Sequence, residues 1–378
     1  MKKNVVSIAL VLMALPTVSY NLAQLACFTL LFLLALESRE FLWVPRRLIG
    51  FTLILVSAVF QVLFVADESI AAHVSSETFR SSGTFGVSNR SDLNLEKLVF
   101  LYSKFICLLI MAVGLNRSLF SLSKNELKFI LTRVMIIVTG INLIIFGFVE
   151  ILNLGSLVRS VFGRCDENFL VGDVYGARLS IGFFEPSHMA IFVGLMVGTV
   201  LLGSSSRGET ILVIAICLVN FLLSRSLTVL LVPLLLFAAF RYRWTTFLLG
   251  TITYFALMWV WRTGLVDPVG LLRSFNDRMT PPDWSSYSIL LFGFQFGEVY
   301  SFTPFMSVAI QIGIVGLVGV FIIFDFNLCG LLVFLFLNMM CPQMWFTSPI
   351  LTLGLIPRDA GSPESGLDLL MHGKEAKC

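Results

Sequence analysis

Long apolar stretches follow one another along most of this chain, and they constrain its fold more than any other feature. A helix needs about 20 apolar residues to cross a bilayer, with roughly 17 as a working minimum. Candidate spans lie at about 4–19, 21–36, 48–66, 98–115, 129–150, 183–203, 210–223, 227–241, 245–261, 304–324, 327–341 and 344–357. Charged residues make up only 13% of the chain, whereas a soluble domain carries about 25%. The sequence therefore predicts an all-α polytopic integral membrane protein with about 11–12 transmembrane helices, in one membrane domain over residues 1–357.

The two ends of the chain differ from the spans between them. Lys2 and Lys3 before an apolar run imitate a signal peptide, but no convincing A-x-A-like cleavage site follows. Residues 4–19 are therefore predicted to remain as an uncleaved first helix. Residues 358–378 are polar and rich in Gly, Ser and charged types, a composition that predicts a disordered tail.

Lysine and arginine are distributed unevenly between alternate loops. Cytoplasmic loops of membrane proteins carry an excess of these residues near the ends of the spans. With the N-terminus in the cytoplasm, the inside loops hold Lys2, Lys3, Arg39, Arg46, Arg47, Arg117, Lys124, Lys128, Arg207, Arg241 and Arg243. The opposite loops hold most of the acidic residues and include the three long loops, at about 67–97, 151–182 and 262–303. The sequence thus predicts a cytoplasmic N-terminus and three long outward-facing loops.

Some of the apolar stretches are shorter than a full crossing requires. They form two adjacent pairs, each with a polar break at its centre, at 210–223 with 227–241 and 327–341 with 344–357. This pattern predicts hairpins whose tips stop within the membrane. Such tips are tolerated only where the backbone is buried in protein or lines a wet cavity.

Ionisable residues gather where one apolar stretch begins. Arg178 and Glu185 precede Pro186, Ser187 and His188. Proline suits the first position of a helix, so Glu185 is predicted at the N-cap and His188 in the first turn. Two interpretations follow for Glu185. It caps the helix at its positive end, or its carboxylate, paired with Arg178, orients or deprotonates a substrate hydroxyl.

The tip of the first short pair reads Ser224-Arg225-Ser226. An arginine near the bilayer centre costs about 2.5–3.5 kcal/mol on insertion scales, so a partner is expected. Its guanidinium either snorkels to the headgroups or grips phosphate oxygens with its planar fork of donors. The flanking serines and the shortness of both arms favour the second interpretation.

The third outer loop precedes a glycine-rich stretch. It carries three arginines that are candidates for contact with a diphosphate or a sugar: Arg262, Arg273 and Arg278. The segment 291–298 then leads to an apolar run that holds Gly313, Gly316 and Gly319. Glycines at three-residue spacing on a membrane helix predict a close-packing face.

Three of these segments together resemble the Wzy-type polymerases of O-antigen and other bacterial surface polysaccharides. The R-x-x-x-x-F-x-E-P-S motif that begins at Arg178, the S-R-S tip at 224–226 and the glycine pattern within 288–325 carry the resemblance. It implies block transfer of oligosaccharide repeat units on undecaprenyl diphosphate, at the periplasmic face of the inner membrane. The growing chain is the glycosyl donor and the lipid diphosphate leaves, so the resemblance implies no cofactor and no metal.

The resemblance also implies roles for individual residues. Fixed positive groups must meet the charge that develops on the leaving diphosphate, and the attacking hydroxyl needs a base or an orienting group. The predicted catalytic residues are Glu185, Arg178 and Arg225. The predicted substrate-binding residues are His188, Ser187, Ser224, Ser226, Arg262, Arg273 and Arg278. The expected partners are the lipid-linked oligosaccharide, the bilayer, a chain-length regulator and a repeat-unit flippase.

Two other functions remain open at this point. An O-antigen ligase shares the motifs and the donor but transfers the polymer to lipid A-core. A repeat-unit flippase or other secondary transporter also has many spans, although its halves are usually related, with broken helices in corresponding positions. The short pairs over 210–241 and 327–357 are not placed symmetrically, which disfavours the transporter.

Several other motifs are absent from the sequence. No Walker A loop, dinucleotide fingerprint, HExxH or G-x-S-x-G motif occurs, and no basic cluster suggests nucleic acid.

Overall fold

The computed structural model describes residues 2–14, 22–65, 95–148, 186–203, 206–224, 226, 228–241, 245, 291–293, 304–325, 330, 333–334, 337 and 347–357. Every element assigned within these ranges is helical. The helices are α1 (Lys2–Ala14), α2 (Leu22–Glu37), α3 (Arg39–Leu42), α4 (Pro45–Val65), α5 (Leu95–Phe120), α6 (Lys124–Phe146), α7 (Pro186–Gly203), α8 (Arg207–Ser224), α9 (Thr228–Arg241), α10 (Pro304–Phe324) and α11 (Thr347–Thr352), with a 3-10 turn at Leu353–Leu355.

The described helices include several that match the bilayer in length. Four of them, α4, α5, α6 and α8, are long and apolar enough to cross a membrane, and shorter apolar helices occur within α2, α7, α9 and α10. Large apolar side chains point outward: Phe129 is 66% exposed and Leu222 is 69% exposed. Such surfaces suit contact with lipid tails, since a soluble monomer rarely exposes large apolar patches. The chain is an all-α polytopic membrane protein, as predicted.

One prediction about span length is wrong. The stretch 210–223 is predicted to be too short to cross, but α8 runs over 18 residues from Arg207 to Ser224. Hydropathy counts only apolar residues, whereas the helix continues through a polar first turn. Glu209 in that turn meets the positive end of the helix dipole, and both the N–H and the hydroxyl of Thr210 donate to the Ser206 carbonyl at 3.1 Å. By contrast α9 has only 14 residues.

The helix α7 lies at the centre of the bundle. All its side chains from Met189 to Val200 are buried, and it packs against α6, α8 and α9. Gly194 and Gly198 allow α9 to approach closely, because a Cβ there would lie 2.9 Å from Val232 and 2.6 Å from Leu236 respectively. Small residues spaced by four are the usual means of such close packing in membranes.

The helices α4 and α10 form the most closely packed antiparallel pair. A Cβ at Gly50 would lie 2.7 Å from the Gly319 carbonyl oxygen, and one at Gly319 would lie 2.6 Å from that of Gly50. One Cβ at Gly316 would lie 3.4 Å from the Ser57 hydroxyl. The predicted close-packing face is therefore confirmed for Gly316 and Gly319.

Gly313 departs from that prediction. Its backbone angles, φ 67° and ψ 171°, interrupt α10, and this region of conformational space is open essentially only to glycine. A Cβ at Gly313 would lie 2.3–2.5 Å from backbone atoms of the segment Leu291–Gly293. The glycine therefore makes a notch in α10 where another part of the chain docks.

Basic side chains gather at one end of the bundle, which we call the basic end. The contacts there are Lys2 Nζ to Ser121 Oγ (3.0 Å), Lys3 to Glu126, Lys128 to Glu209 (2.9 Å), Arg46 to Asp325 (2.6 Å) and Arg47 Nε to the Ile323 carbonyl (3.1 Å). Arg47 also lies within electrostatic range of Arg117. At the basic end, the starts of α1, α4, α6 and α8 thus lie next to the ends of α5 and α10.

The opposite end of the bundle is the one where α8 stops, and we call it the Ser224 end. The helix ends that adjoin the predicted loops 67–97 and 151–182 lie there.

The cytoplasmic location of the basic end stays a prediction. We expect alkaline phosphatase fused after Arg243 to be inactive and the same enzyme fused after Asp277 to be active. The reason is that this reporter needs disulfides, which form in the periplasm and not in the cytosol. A fusion after Ser121, at the basic end, is the control and should match the one after Arg243. Activity after Arg243, or none after Asp277, would reverse the orientation.

Candidate functional site

A buried hydrogen-bond network joins α6, α7 and α8 near the Ser224 end. The side-chain amide of Asn142 donates to Asn220 Oδ1 and to Met189 Sδ, both at 3.2 Å. The amide of Asn220 donates in turn to Thr139 Oγ1 at 2.7 Å and to the Ile216 carbonyl at 2.9 Å. Asn142 is 1% exposed and Asn220 is 0% exposed. We call Thr139, Asn142, Met189 and Asn220 the amide network.

The hydrogen bonds of the amide network matter for stability because the helices lie in a membrane. Lipid tails offer no hydrogen-bond partner, so a polar group within the bilayer must find one inside the protein. Hydrogen bonds between membrane helices contribute about 0.6–2 kcal/mol each. Because Asn142 bonds to two other helices at once, its amide restricts how α6, α7 and α8 rotate and slide against one another.

The end of α8 lies directly next to the amide network. The hydroxyl of Ser224, which is fully buried, donates to the Asn220 carbonyl at 2.7 Å. It also accepts the backbone N–H of Ser226 at 3.3 Å. The Ser226 carbonyl accepts the N–H of Val229 at 3.2 Å at the start of α9. Ser224 and Ser226 of the predicted S-R-S tip are therefore hydrogen-bonded to each other, and they contact the end of α8 and the start of α9 respectively.

The start of α7 lies at the same place. The helix begins at Pro186, and Ser187 and His188 belong to its first turn, as the proline predicts. Met189 follows immediately and contacts Asn142, which contacts Asn220 on α8. The start of α7 and the end of α8 thus lie together, as the two outer ends of consecutive antiparallel helices do, and Asn142 links both to α6.

The chemistry assigned to individual residues stays a prediction. The side chains of Ser224 and Ser226 are described, whereas Ser187 and His188 are described only as backbone in the first turn of α7. The other predicted site residues lie outside the described residues: Arg178, Glu185, Arg225, Arg262, Arg273 and Arg278. Almost all of the three predicted outer loops, and the whole tail 358–378, also lie outside them.

A second contact region lies where the segment Leu291–Gly293 docks between α4 and α10. The ring of Phe292 stacks on that of Phe60 of α4, with centroids 3.9 Å apart and planes 9° from parallel. The backbone of the segment fits into the notch at Gly313. Non-helical backbone at membrane depth needs such burial in protein.

Polar side chains satisfy the carbonyl groups freed at this docking point. Ser57 Oγ lies 2.6 Å from the Ile312 carbonyl and 2.5 Å from that of Phe292, and its one proton serves one of them. Gln61 Nε2 donates to the Phe292 carbonyl at 2.9 Å, so both carbonyls can be satisfied at once. The Tyr102 hydroxyl faces Ser57 and Gln61. These polar side chains therefore join α4 and α5 to α10 and to the segment Leu291–Gly293, and we call Ser57, Gln61 and Tyr102 the polar lock.

Sequence reasoning missed the residues that form these two regions. Asn142, Asn220, Ser57 and Gln61 carry no charge and sit inside apolar stretches, so a search for ionisable groups passes over them. A usable signal does exist. An Asn or Gln inside a membrane span needs a partner on another helix, and each span with one such residue is a candidate neighbour of another.

The described residues offer little for metal or thiol chemistry. No group of three or more His, Cys, Asp or Glu that could hold a metal occurs among them. Cys27, Cys107 and Cys217 are free thiols. The amide network and the polar lock therefore depend on neutral hydrogen-bonding groups.

In comparisons with known proteins, the chain matches no family model, no curated protein and no solved structure.

Proposed function

We propose that this protein polymerises oligosaccharide repeat units carried on undecaprenyl diphosphate into O-antigen or a related surface polysaccharide. The observation that carries the proposal is the meeting of α7 and α8 through the amide network. The motif segments 185–188 and 224–226, which resemble the Wzy-type polymerases, adjoin those two helix ends. This meeting point lies at the Ser224 end, and the positive-inside pattern favours the periplasm for that end.

The proposed reaction joins two lipid-linked saccharides. The oxygen of a hydroxyl on the incoming unit attacks the anomeric carbon of the growing chain. The bond from that carbon to the diphosphate breaks, and undecaprenyl diphosphate leaves with the electron pair. Glu185 accepts the hydroxyl proton, or it orients the hydroxyl while the proton passes to the leaving diphosphate. Arg178 and Arg225 stabilise the charge on that diphosphate. The broken sugar–diphosphate bond supplies the energy, so the reaction needs no nucleotide.

The two serines beside Arg225 have different tasks in this proposal. The hydroxyl of Ser224 is engaged with the Asn220 carbonyl and with the Ser226 N–H, so it shapes the turn. Ser226 is only partly buried, and its hydroxyl is the better placed of the two to contact a sugar. The arginines of the third loop, Arg262, Arg273 and Arg278, are assigned to the bound saccharide or its diphosphate.

Deletion of the gene tests the proposal directly. We expect lipid-linked or core-linked single repeat units in place of a long polymer ladder, because synthesis and export of each unit continue while joining stops. Gel separation of the surface polysaccharide measures this, and complementation with the intact gene is the control. Accumulation of undecaprenyl-linked polymer would support a ligase instead. Single units trapped on the cytoplasmic side would support a flippase.

A further inference from the structure

We infer that Asn142 and Asn220 are positioning residues that set the distance between the motif segments 185–188 and 224–226. The inference deepens the proposed function and rests on it for its chemical meaning. Its geometric part, the control of that distance, stands on the amide network alone.

The amide network lies close to both motif segments. Met189 directly follows His188 in α7, and Asn220 comes four residues before Ser224, which corresponds to about 6 Å along α8. The amide nitrogen of Asn142 contacts both, at 3.2 Å each. Because both contacts lie so near the motif segments, a change in either contact moves the two segments relative to each other.

The bonds of the amide network do not serve the helix backbone. Asn142 and Asn220 bond to each other, to Met189 and to Thr139, and the Ile216 carbonyl belongs to an unbroken part of α8. None of these contacts supplies a partner that the main chain lacks. With apolar side chains at these positions, the main-chain hydrogen bonds would be equally complete. The amide network therefore fixes how α6, α7 and α8 are placed against one another.

Asn116 provides the contrast within the same chain. Its amide donates to the Gly354 carbonyl at 3.0 Å and to the Ile356 carbonyl at 2.9 Å. Both acceptors belong to the 3-10 turn and its end, where helical bonding stops. This buried asparagine thus serves the backbone, and it lies at the end of α5 close to the basic end. It is the matched control for the amide network.

The decisive variant removes both amides together. Asn220→Leu alone should lower the melting temperature by several degrees, because Asn142 and Thr139 then keep buried polar groups that have lost a partner. Asn142→Leu with Asn220→Leu should recover most of that loss, since the polar pair is replaced by apolar packing. Polymerisation per folded molecule should nevertheless stay about tenfold or more below the unmodified protein, because misplacement by about 1 Å can cost 100-fold.

Cross-linking measures the distance without any enzyme assay. Ser187→Cys and Ser226→Cys are introduced after the seven native cysteines are replaced, and a short bismaleimide joins the two thiols. We expect the cross-linking yield to fall several-fold in the double-leucine background. In an Asn116→Leu background the yield should not change, and activity per folded molecule should also be kept despite lower stability.

The outcomes separate the two proposals. Unchanged cross-linking in the double-leucine protein would overturn the positioning role. A reduced yield with full activity per folded molecule would mean that the distance does not matter for the reaction, and it would overturn the catalytic meaning of the inference. A reduced yield together with a failed gene-deletion test would leave the control of distance in place and remove the polymerase. A reduced yield with lost polymerisation supports both.

Discussion

Arg225→Ala is expected to lower polymerisation by about 100-fold or more, the usual loss when one group that stabilises transition-state charge is removed. The protein should still insert and accumulate, because the backbone beside Arg225 is held by Ser224 and Ser226. Arg225→Lys should recover little. Lysine keeps the charge but lacks the planar fork that holds two oxygens of a diphosphate at once. The polymer ladder, normalised to the amount of membrane-inserted protein, measures both variants.

Arg133 offers a matched control for this experiment. It lies on α6 with an exposed side chain, between Phe129 and Ile136 on an exposed apolar face. Arg133→Ala and Arg133→Lys should leave the ladder unchanged. A fully active Arg225→Lys protein would mean that the side chain only snorkels to headgroups, as lysine can. The main physical support for a diphosphate site would then be gone.

Gly313→Ala is expected to cause the largest loss of folded protein. The backbone there has φ 67° and ψ 171°, which alone costs a non-glycine residue about 1–3 kcal/mol. The new Cβ would also lie 2.3–2.5 Å from the backbone of Leu291–Gly293, and backbone cannot move aside as a flexible side chain can. We expect a total destabilisation of about 3 kcal/mol or more. Thermal unfolding of the purified protein in detergent would measure it.

Gly140→Ala is the control for the effect of the methyl group itself. Gly140 lies inside α6, and apart from the adjoining backbone of its own helix no atom of the described residues lies within 4 Å of the position its Cβ would take. This substitution should be neutral or slightly stabilising, because alanine favours a helix over glycine by about 0.5–1 kcal/mol. If Gly313→Ala unfolds at the same temperature as Gly140→Ala, the notch in α10 does not need a glycine.

The sequence predicted the positions of several spans well. The described helices α2, α4, α5, α6 and α10 coincide with predicted spans to within a few residues. Lys3 and Lys128, both predicted in inside loops, also lie at the basic end, where they pair with Glu126 and Glu209, and the side of the membrane stays a prediction. These successes share one cause. Hydropathy and charge are local properties, and the bilayer imposes the same rule on every span.

The failures have a common cause too. The break at Gly313 and the amide network depend on atoms that are far away in sequence, and the extension of α8 through Arg207 is supported by one such contact beside its local ones. Glu209 pairs with Lys128 on α6, and the backbone of Leu291–Gly293 packs against Gly313. The residues on either side of Glu209 or Gly313 in the sequence do not indicate either of these distant partners.

What the sequence determined by itself is the class of the protein: a bundle of apolar helices in a membrane, because a chain of this hydropathy has no other way to satisfy its backbone in lipid. Which helices touch was decided only by the tertiary structure. An apolar helix surface packs as readily against lipid tails as against another apolar helix, so hydropathy does not specify partners; close packing and buried hydrogen bonds do. Asn142 and Asn220, 78 residues apart, show the difference. Each is an ordinary neutral residue in the sequence, and only folding places them together beside the segments proposed to carry the reaction.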